Sequence, residues 1–244
     1  MSRKRERNIT NDSNPLPDLV AGVGEILGTA MFLFFGFASI LVANASAEDD
    51  RLNESTSPQI IRYLFISLGF GLAFAVNIWI FARISGAMLN PAITLAMALV
   101  QEISVMRAVV CFIAQIAGGL IASGLVMLLF PGPFDIVRIR LNHGTSLAQG
   151  VFLEALMTAE LVTTVLMLTK ERCRRNLAAP IAIGSAVFLG HLIGMPFTGV
   201  GMNPVRSFAP DVVTATFNSD HWVYCRFFFR IFSLSVGTID NLSA

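Results

Sequence analysis

The chain has 244 residues, 55% of them hydrophobic and only 14% charged, with a formal net charge of +1. Soluble domains carry roughly a quarter charged residues, so this chain is short of the polar surface a soluble protein needs. The net charge argues neither for nor against nucleic acid, but the chain has no basic patch interleaved with aromatics, which argues against it. Cys111, Cys173 and Cys225 are odd in number, far apart and without a Cys-x-x-Cys spacing, which argues against a disulfide framework or a metal site.

Residues 1–18 read as a polar, cytoplasmic N-terminal tail carrying Arg3, Lys4, Arg5 and Arg7. No short apolar core with a small-residue cleavage site follows, so the tail is not a cleavable signal. A helix needs about 20 apolar residues to cross a hydrocarbon core of about 30 Å. The runs that fit are Leu19–Asn44, interrupted by Glu25 alone, then Leu64–Ala82 and Ala108–Phe130, both uncharged. Leu147–Thr169 follows with Glu154 and Glu160, and Leu177–Gly199 with His191. A weaker sixth run is His221–Ile239. All are expected to be helical, because backbone in lipid must satisfy its own hydrogen bonds.

The basic N-terminus and the loop with Lys170, Arg172, Arg174 and Arg175 belong on the cytoplasmic side. Glu48, Asp49, Asp50 and Glu54 then lie outside, beside an Asn53-Glu54-Ser55 glycosylation pattern. Arg138 and Arg140 would also lie outside, against the rule. The pairs Gly69/Ala73, Gly71/Ala75, Gly119/Ser123 and Ala186/Gly190 place small residues four apart, which implies a tight bundle.

The chain also repeats itself. Glu25 and Thr29 in the first run match Glu154 and Thr158 in the fourth. Each half then holds a glycine-led loop and an Asn-Pro: Ser85-Gly86-Ala87-Met88-Leu89-Asn90-Pro91-Ala92, and Gly199-Val200-Gly201-Met202-Asn203-Pro204-Val205-Arg206. Three spans per half put the halves in opposite orientations, as in transport proteins built from inverted repeats. Asn is a favoured N-cap and Pro a favoured first helical residue. Short helices over 90–99 and 203–216 are therefore expected to dip in from opposite sides and meet N-terminus to N-terminus. Their positive ends repel cations and protons, while the Asn amides can donate to a neutral solute. A single Asn-Pro is an ordinary turn; two copies at equivalent places in a duplicated membrane chain are not.

At these residues the sequence resembles the aquaporin (major intrinsic protein) family, from about Leu19 to Tyr224. Gly24–Thr29 is also similar to that family's first span. The resemblance implies an all-α membrane protein with six transmembrane helices, two re-entrant half-helices and a homotetramer in which each copy has its own pore. It implies pore motifs at Asn90, Pro91, Ala92 and at Asn203, Pro204, Val205, and a selectivity filter at Phe70, His191, Val200 and Arg206. Phe, His and Arg, with Ser207 after the Arg, resemble the water-selective branch. Glu25 and Glu154 are expected to face inward and support the loops by accepting backbone N–H bonds; a proton relay is the rival role.

The expected layout is a first repeat at 19–130, a connecting loop at 131–146, a second repeat at 147–239 and a tail at 240–244. Two departures from the family pattern stand out. Val205 replaces the usual Ala. Beyond His221-Trp222-Val223-Tyr224, the resemblance gives way to Cys225, Arg226, three Phe and Arg230, an end expected of a shifted or mis-spliced last exon. The expected function is passive permeation of water in the plasma membrane, with no cofactor and no metal. The alternatives are a facilitator for glycerol or another small neutral solute, and a non-conducting variant with a defective sixth helix. No nucleophile–base pair or phosphate loop supports an enzyme.

Overall fold

The computed structural model describes residues 16–49, 58–170, 178–218 and Val223. Seven α-helices make up the described chain: α1 (Leu16–Asp49), α2 (Pro58–Phe81), α3 (Pro91–Leu99), α4 (Val105–Leu129), α5 (Leu147–Lys170), α6 (Ala179–Gly194) and α7 (Pro204–Val213). A 3-10 turn, Phe134–Val137, lies in the connection before α5. No strand occurs among the described residues. Helices α1, α2, α4 and α5 are long and apolar enough to cross a bilayer, whereas α6 has only 16 residues.

The first half packs α1 against both α2 and α4, and the second packs α5 against α6. The halves are joined where α2 crosses α6 and where α7 lies on α4. Backbone approach decides these crossings. A Cβ on Gly118 of α4 would stand 2.5 Å from the Ile26 carbonyl oxygen of α1, and one on Gly184 of α6 would stand 2.6 Å from that of Gly71 on α2. Only hydrogen fits at either point. The outward faces carry large apolar side chains such as Ile60, Leu128 and Phe152, each at least 70% exposed. A solvent other than water must cover them.

Two short helices, α3 and α7, occupy the interior and touch at their N-termini. Both end alike. The N–H of Glu102 returns to Met97 O past Gln101 at φ +59, and that of Thr216 returns to Asp211 O past Ala215 at φ +50. This left-handed closure consumes the last orphan carbonyls. It also stops α7 at Val213, so the expected helix to 216 is three residues too long. Helix α6 likewise ends at Gly194, not Gly199. The chain turns there so that Thr198 and the following N–H groups can meet Glu154. Helices α1 and α2 begin earlier than their apolar runs, at Leu16 and Pro58, because a polar first turn can be helical outside the hydrocarbon.

The predicted sixth span, with Arg226 and Arg230, lies outside the described residues, as do Asn53 and Arg172 to Arg175. Val223 is buried beside Ile139, Leu141 and Val151. It also lines a cavity of about 260 Å³ whose other walls come from α3, α5 and the start of α7.

Candidate functional site: facing half-helices and a narrow passage

The passage is built from two glutamates upward. Glu25 on α1 is fully buried. Its carboxylate accepts from the Ser85 hydroxyl at 2.6 Å, Met88 N–H at 3.0 Å, Leu89 N–H at 2.7 Å and Gln115 Nε2 at 2.7 Å. Glu154 on α5 accepts from the Thr198 hydroxyl at 2.6 Å, Gly201 N–H at 3.0 Å and Met202 N–H at 2.9 Å. A charge so far from water is tolerable only when its lone pairs are filled in this way. Each carboxylate bends its loop: Ala87 and Leu89 in the first, Val200 and Met202 in the second, all have positive φ.

Each loop then delivers an Asn to the start of a half-helix. Asn90 Oδ1 accepts from Ala92 N–H at 2.8 Å, and Asn203 Oδ1 from Val205 N–H at 3.0 Å. Pro91 and Pro204 follow as first helical residues, where a missing N–H costs nothing. The amides cross over: Asn90 Nδ2 donates to Met202 O at 2.9 Å, and Asn203 Nδ2 to Leu89 O at 2.8 Å. Each amide has a second N–H, and both asparagines line a central chamber of about 10 Å³.

The chamber has an aromatic and cationic wall. The Phe70 and His191 rings stack with centroids 4.2 Å apart. Arg206 Cζ lies 5.5 Å from the Phe70 centroid and 5.6 Å from that of Phe37. Arg206 donates Nη1 to Val137 O at 3.0 Å and Nη2 to Gly199 O at 3.4 Å. His191 Nδ1 lies 2.9 Å from Val187 O. A carbonyl only accepts, so Nδ1 carries the proton and the neutral ring presents Nε2 as an acceptor. The structure thus brings Phe70, His191, Arg206, Asn90 and Asn203 around one space. Val200 is buried, but its side chain packs toward Gly194 and does not line the chamber. Val205 also turns away, with Cγ1 where a side chain on Gly119 would sit. Ala92 and Pro204 line the separate cavity beside Val223.

Wider spaces flank the chamber. One, of about 490 Å³, is lined by Met88, Met97, Ile78, Arg83 and Ile183. The other, of about 260 Å³, is lined by Arg62, Arg138, Arg140, Asn142 and Arg206. In this arginine-lined mouth, Arg138 Nε donates to Asp211 at 2.6 Å and Nη1 to Asp135 at 2.7 Å, while Arg140 pairs with Asp135. The hydrogen bond from Arg138 holds the Asp135 carboxyl below its ordinary range. Burial works against the Arg138 charge, yet its bonds to Asp211 and Asp135 outweigh it and hold its pKa above the ordinary value. These pairs neutralise both arginines.

Sequence reasoning missed Ser85, Thr198, Gln115, Arg138 and Asp211. A signal existed for the first two, each five residues before its Asn. Among the described residues no cluster of His, Cys, Asp and Glu could hold a metal.

The family model described as Major intrinsic protein matches residues 14–226. The chain is 50% identical over 217 residues to the probable aquaporin-5 of Gibberella zeae and 46% identical over 215 residues to aquaporin-5 of Botryotinia fuckeliana. Each match covers 87% of this chain and 40% of the relative, so the chain spans well under half the length of these curated relatives. Among solved structures, the aquaglyceroporin from Plasmodium falciparum matches with a TM-score of 0.72 at 22% identity, covering 85% of this chain and 88% of that one. The likeness is one of fold.

Proposed function

We infer that this chain, which belongs to the major intrinsic protein family, works as a passive water channel that excludes protons, ions and polyols. Membership makes it a multi-pass integral membrane protein of a channel family; the solute is our reading. The observation that carries it is the size and lining of the chamber. About 10 Å³ is the space of one water, and a three-carbon polyol needs several times that.

Within this reading, the filter is formed by Phe70, His191 and Arg206; Val200, expected beside them, packs toward Gly194 and stays outside the chamber. A water at the constriction donates to His191 Nε2 and accepts from the Arg206 guanidinium, while the Phe70 face offers nothing. It then meets the second N–H of Asn90 and of Asn203. Both donate, so the water oxygen must turn toward the half-helix ends. A chain of waters turned in opposite senses on either side cannot pass a proton along. The two positive helix ends add an electrostatic barrier to cations. Glu25 and Glu154 act as structural supports: their donors hold them as acceptors, which suits scaffolding better than a relay.

The reading extends to a cytoplasmic N-terminus, a plasma-membrane location and a homotetramer. The basic residues of the first seven positions favour that orientation, and the exposed apolar faces of the helices suit contact with lipid or with other copies.

Osmotic shrinkage of proteoliposomes, followed by light scattering, tests the function. Shrinkage in sucrose much faster than in empty vesicles, with slow re-swelling in glycerol, is the expected result. Equally fast glycerol entry would replace the water reading with a solute facilitator. Shrinkage no faster than the empty vesicles would make this chain a non-conducting variant.

A further inference from the structure

Beyond the filter itself, one buried ion pair closes a loop back onto it. Arg206 and Asp211 lie five residues apart on α7. Arg206 donates to the carbonyl of Val137, and the next residue, Arg138, donates to Asp211. Both partners of this pair are nearly inaccessible, with side chains 1% and 2% exposed. Arg138 also donates Nη2 to Thr216 O at 2.8 Å and to Asn218 Oδ1 at 3.1 Å, just past the end of α7. Its guanidinium therefore fastens the connecting segment to the half-helix by several bonds at once. A fixed planar fork can do this where a flexible ammonium cannot.

We propose that Arg138 and Asp211 are positioning residues for solute selection: their pair fixes the Val137 carbonyl, and that carbonyl holds the Arg206 guanidinium against the wall of the passage. The geometry is a closed ring, from Arg206 through Val137 and Arg138 to Asp211 and back along α7. Opening the ring anywhere frees the Val137 carbonyl to shift. The Arg206 side chain then swings on its three-carbon stem and the constriction loses its fixed width. Neither residue lines the chamber, and Arg138 lines only the arginine-rich mouth, so the pair acts on the constriction through Arg206. The proposal rests on the reading of Arg206 as a filter residue.

The test compares the ratio of glycerol to water permeability in proteoliposomes of the full chain with those of Asp211→Asn, Arg138→Gln and Arg138→Lys. We expect Asp211→Asn and Arg138→Gln to raise the ratio by about fivefold, the population shift that one ordinary hydrogen bond supports. Arg138→Lys keeps the charge but cannot reach Asp211 and the Thr216 carbonyl together, so its ratio should fall between. Asp18→Asn, which breaks a partly buried pair with Arg107 that lines neither the chamber nor its flanking spaces, should leave the ratio at the parent value. Water and glycerol rates that fall in proportion would mean a merely structural role and would overturn the proposal. So would an unchanged ratio in Asp211→Asn. Should Arg138→Gln fail to insert, Arg138→Lys and Asp211→Asn still decide. A parent chain that conducts no water sinks the channel reading and this proposal together; a conducting parent with an unshifted ratio in the variants sinks this proposal alone.

Discussion

In the first half, Glu25 on α1 gathers Ser85, Met88 and Leu89; in the second, Glu154 on α5 gathers Thr198, Gly201 and Met202. Each loop bends through positive φ, caps a half-helix with Asn and ends it with a left-handed residue. Past the Asn-Pro the backbone stays alike, but the side chains diverge. Three residues after Asn90 stands Ile93, buried and apolar; three after Asn203 stands Arg206. Ala92 in the first motif corresponds to Val205 in the second. One mouth is mostly apolar, with Arg83 as its one arginine, and the other is lined by four arginines. Duplication supplied the frame, and the chemistry lies where the copies have diverged.

The largest expected effect tests the shared frame. Glu25→Ala and Glu154→Ala each strand several buried donors and should lower the unfolding free energy by about 4 kcal/mol, read as thermal melting in detergent. A much smaller loss at one glutamate would break the equivalence. Val205→Ala makes the second motif match the first. It removes two methyl groups, Cγ1 among them packed against Gly119, and should cost about 2 kcal/mol. Since those methyls point away from the chamber, water permeability per inserted protein should not change; an increase would mean that Val205 narrows the passage.

Arg206→Ile gives α7 the residue type of α3 and sharpens the chemical side of the comparison. It should raise the glycerol-to-water permeability ratio by about tenfold, the low end of discrimination by fit alone. An unchanged ratio would move selection elsewhere. The smallest effect is at Asp135, whose folded pKa lies below its unfolded one. Its contribution is present above the unfolded value and lost as pH falls through the folded one. The carboxylate is half exposed, so the contribution is at most about 1 kcal/mol. The melting difference between the parent and Asp135→Asn should begin to narrow as pH falls through about 4 and vanish below the folded pKa; a difference that does not narrow at all on acidification contradicts it.

Much of this architecture could be read from residues alone. The apolar runs, the repeated Glu-x-x-x-Thr and the doubled Asn-Pro were enough to place the half-helices; Phe70, His191 and Arg206 were picked out only by the family resemblance, which also named Val200, a residue that does not line the chamber. Hydropathy served less well at helix ends. Pro58 opens α2 in a polar stretch, and Ala215 stops α7 in a left-handed conformation that its residue type does not announce. Gln115 looked like one polar residue in an uncharged span, because its bonds to Glu25 and Thr94 depend on how helices cross. Arg138 and Asp211 are 73 positions apart. A loop arginine and a half-helix aspartate look unrelated until the fold brings them together.

The crossed amide bonds, from Asn90 to Met202 and from Asn203 to Leu89, join residues 112 and 114 positions apart. Such distant partners bear on biosynthesis. When the ribosome has finished the first three spans, Leu89 has no partner for its carbonyl and Asn90 none for its amide, and neither can acquire one until the second motif has been made and inserted. The centre of the molecule is therefore the last part to be completed. A chain halted midway leaves the translocon with polar groups unsatisfied inside the bilayer, a mark by which quality control can recognise an unfinished product.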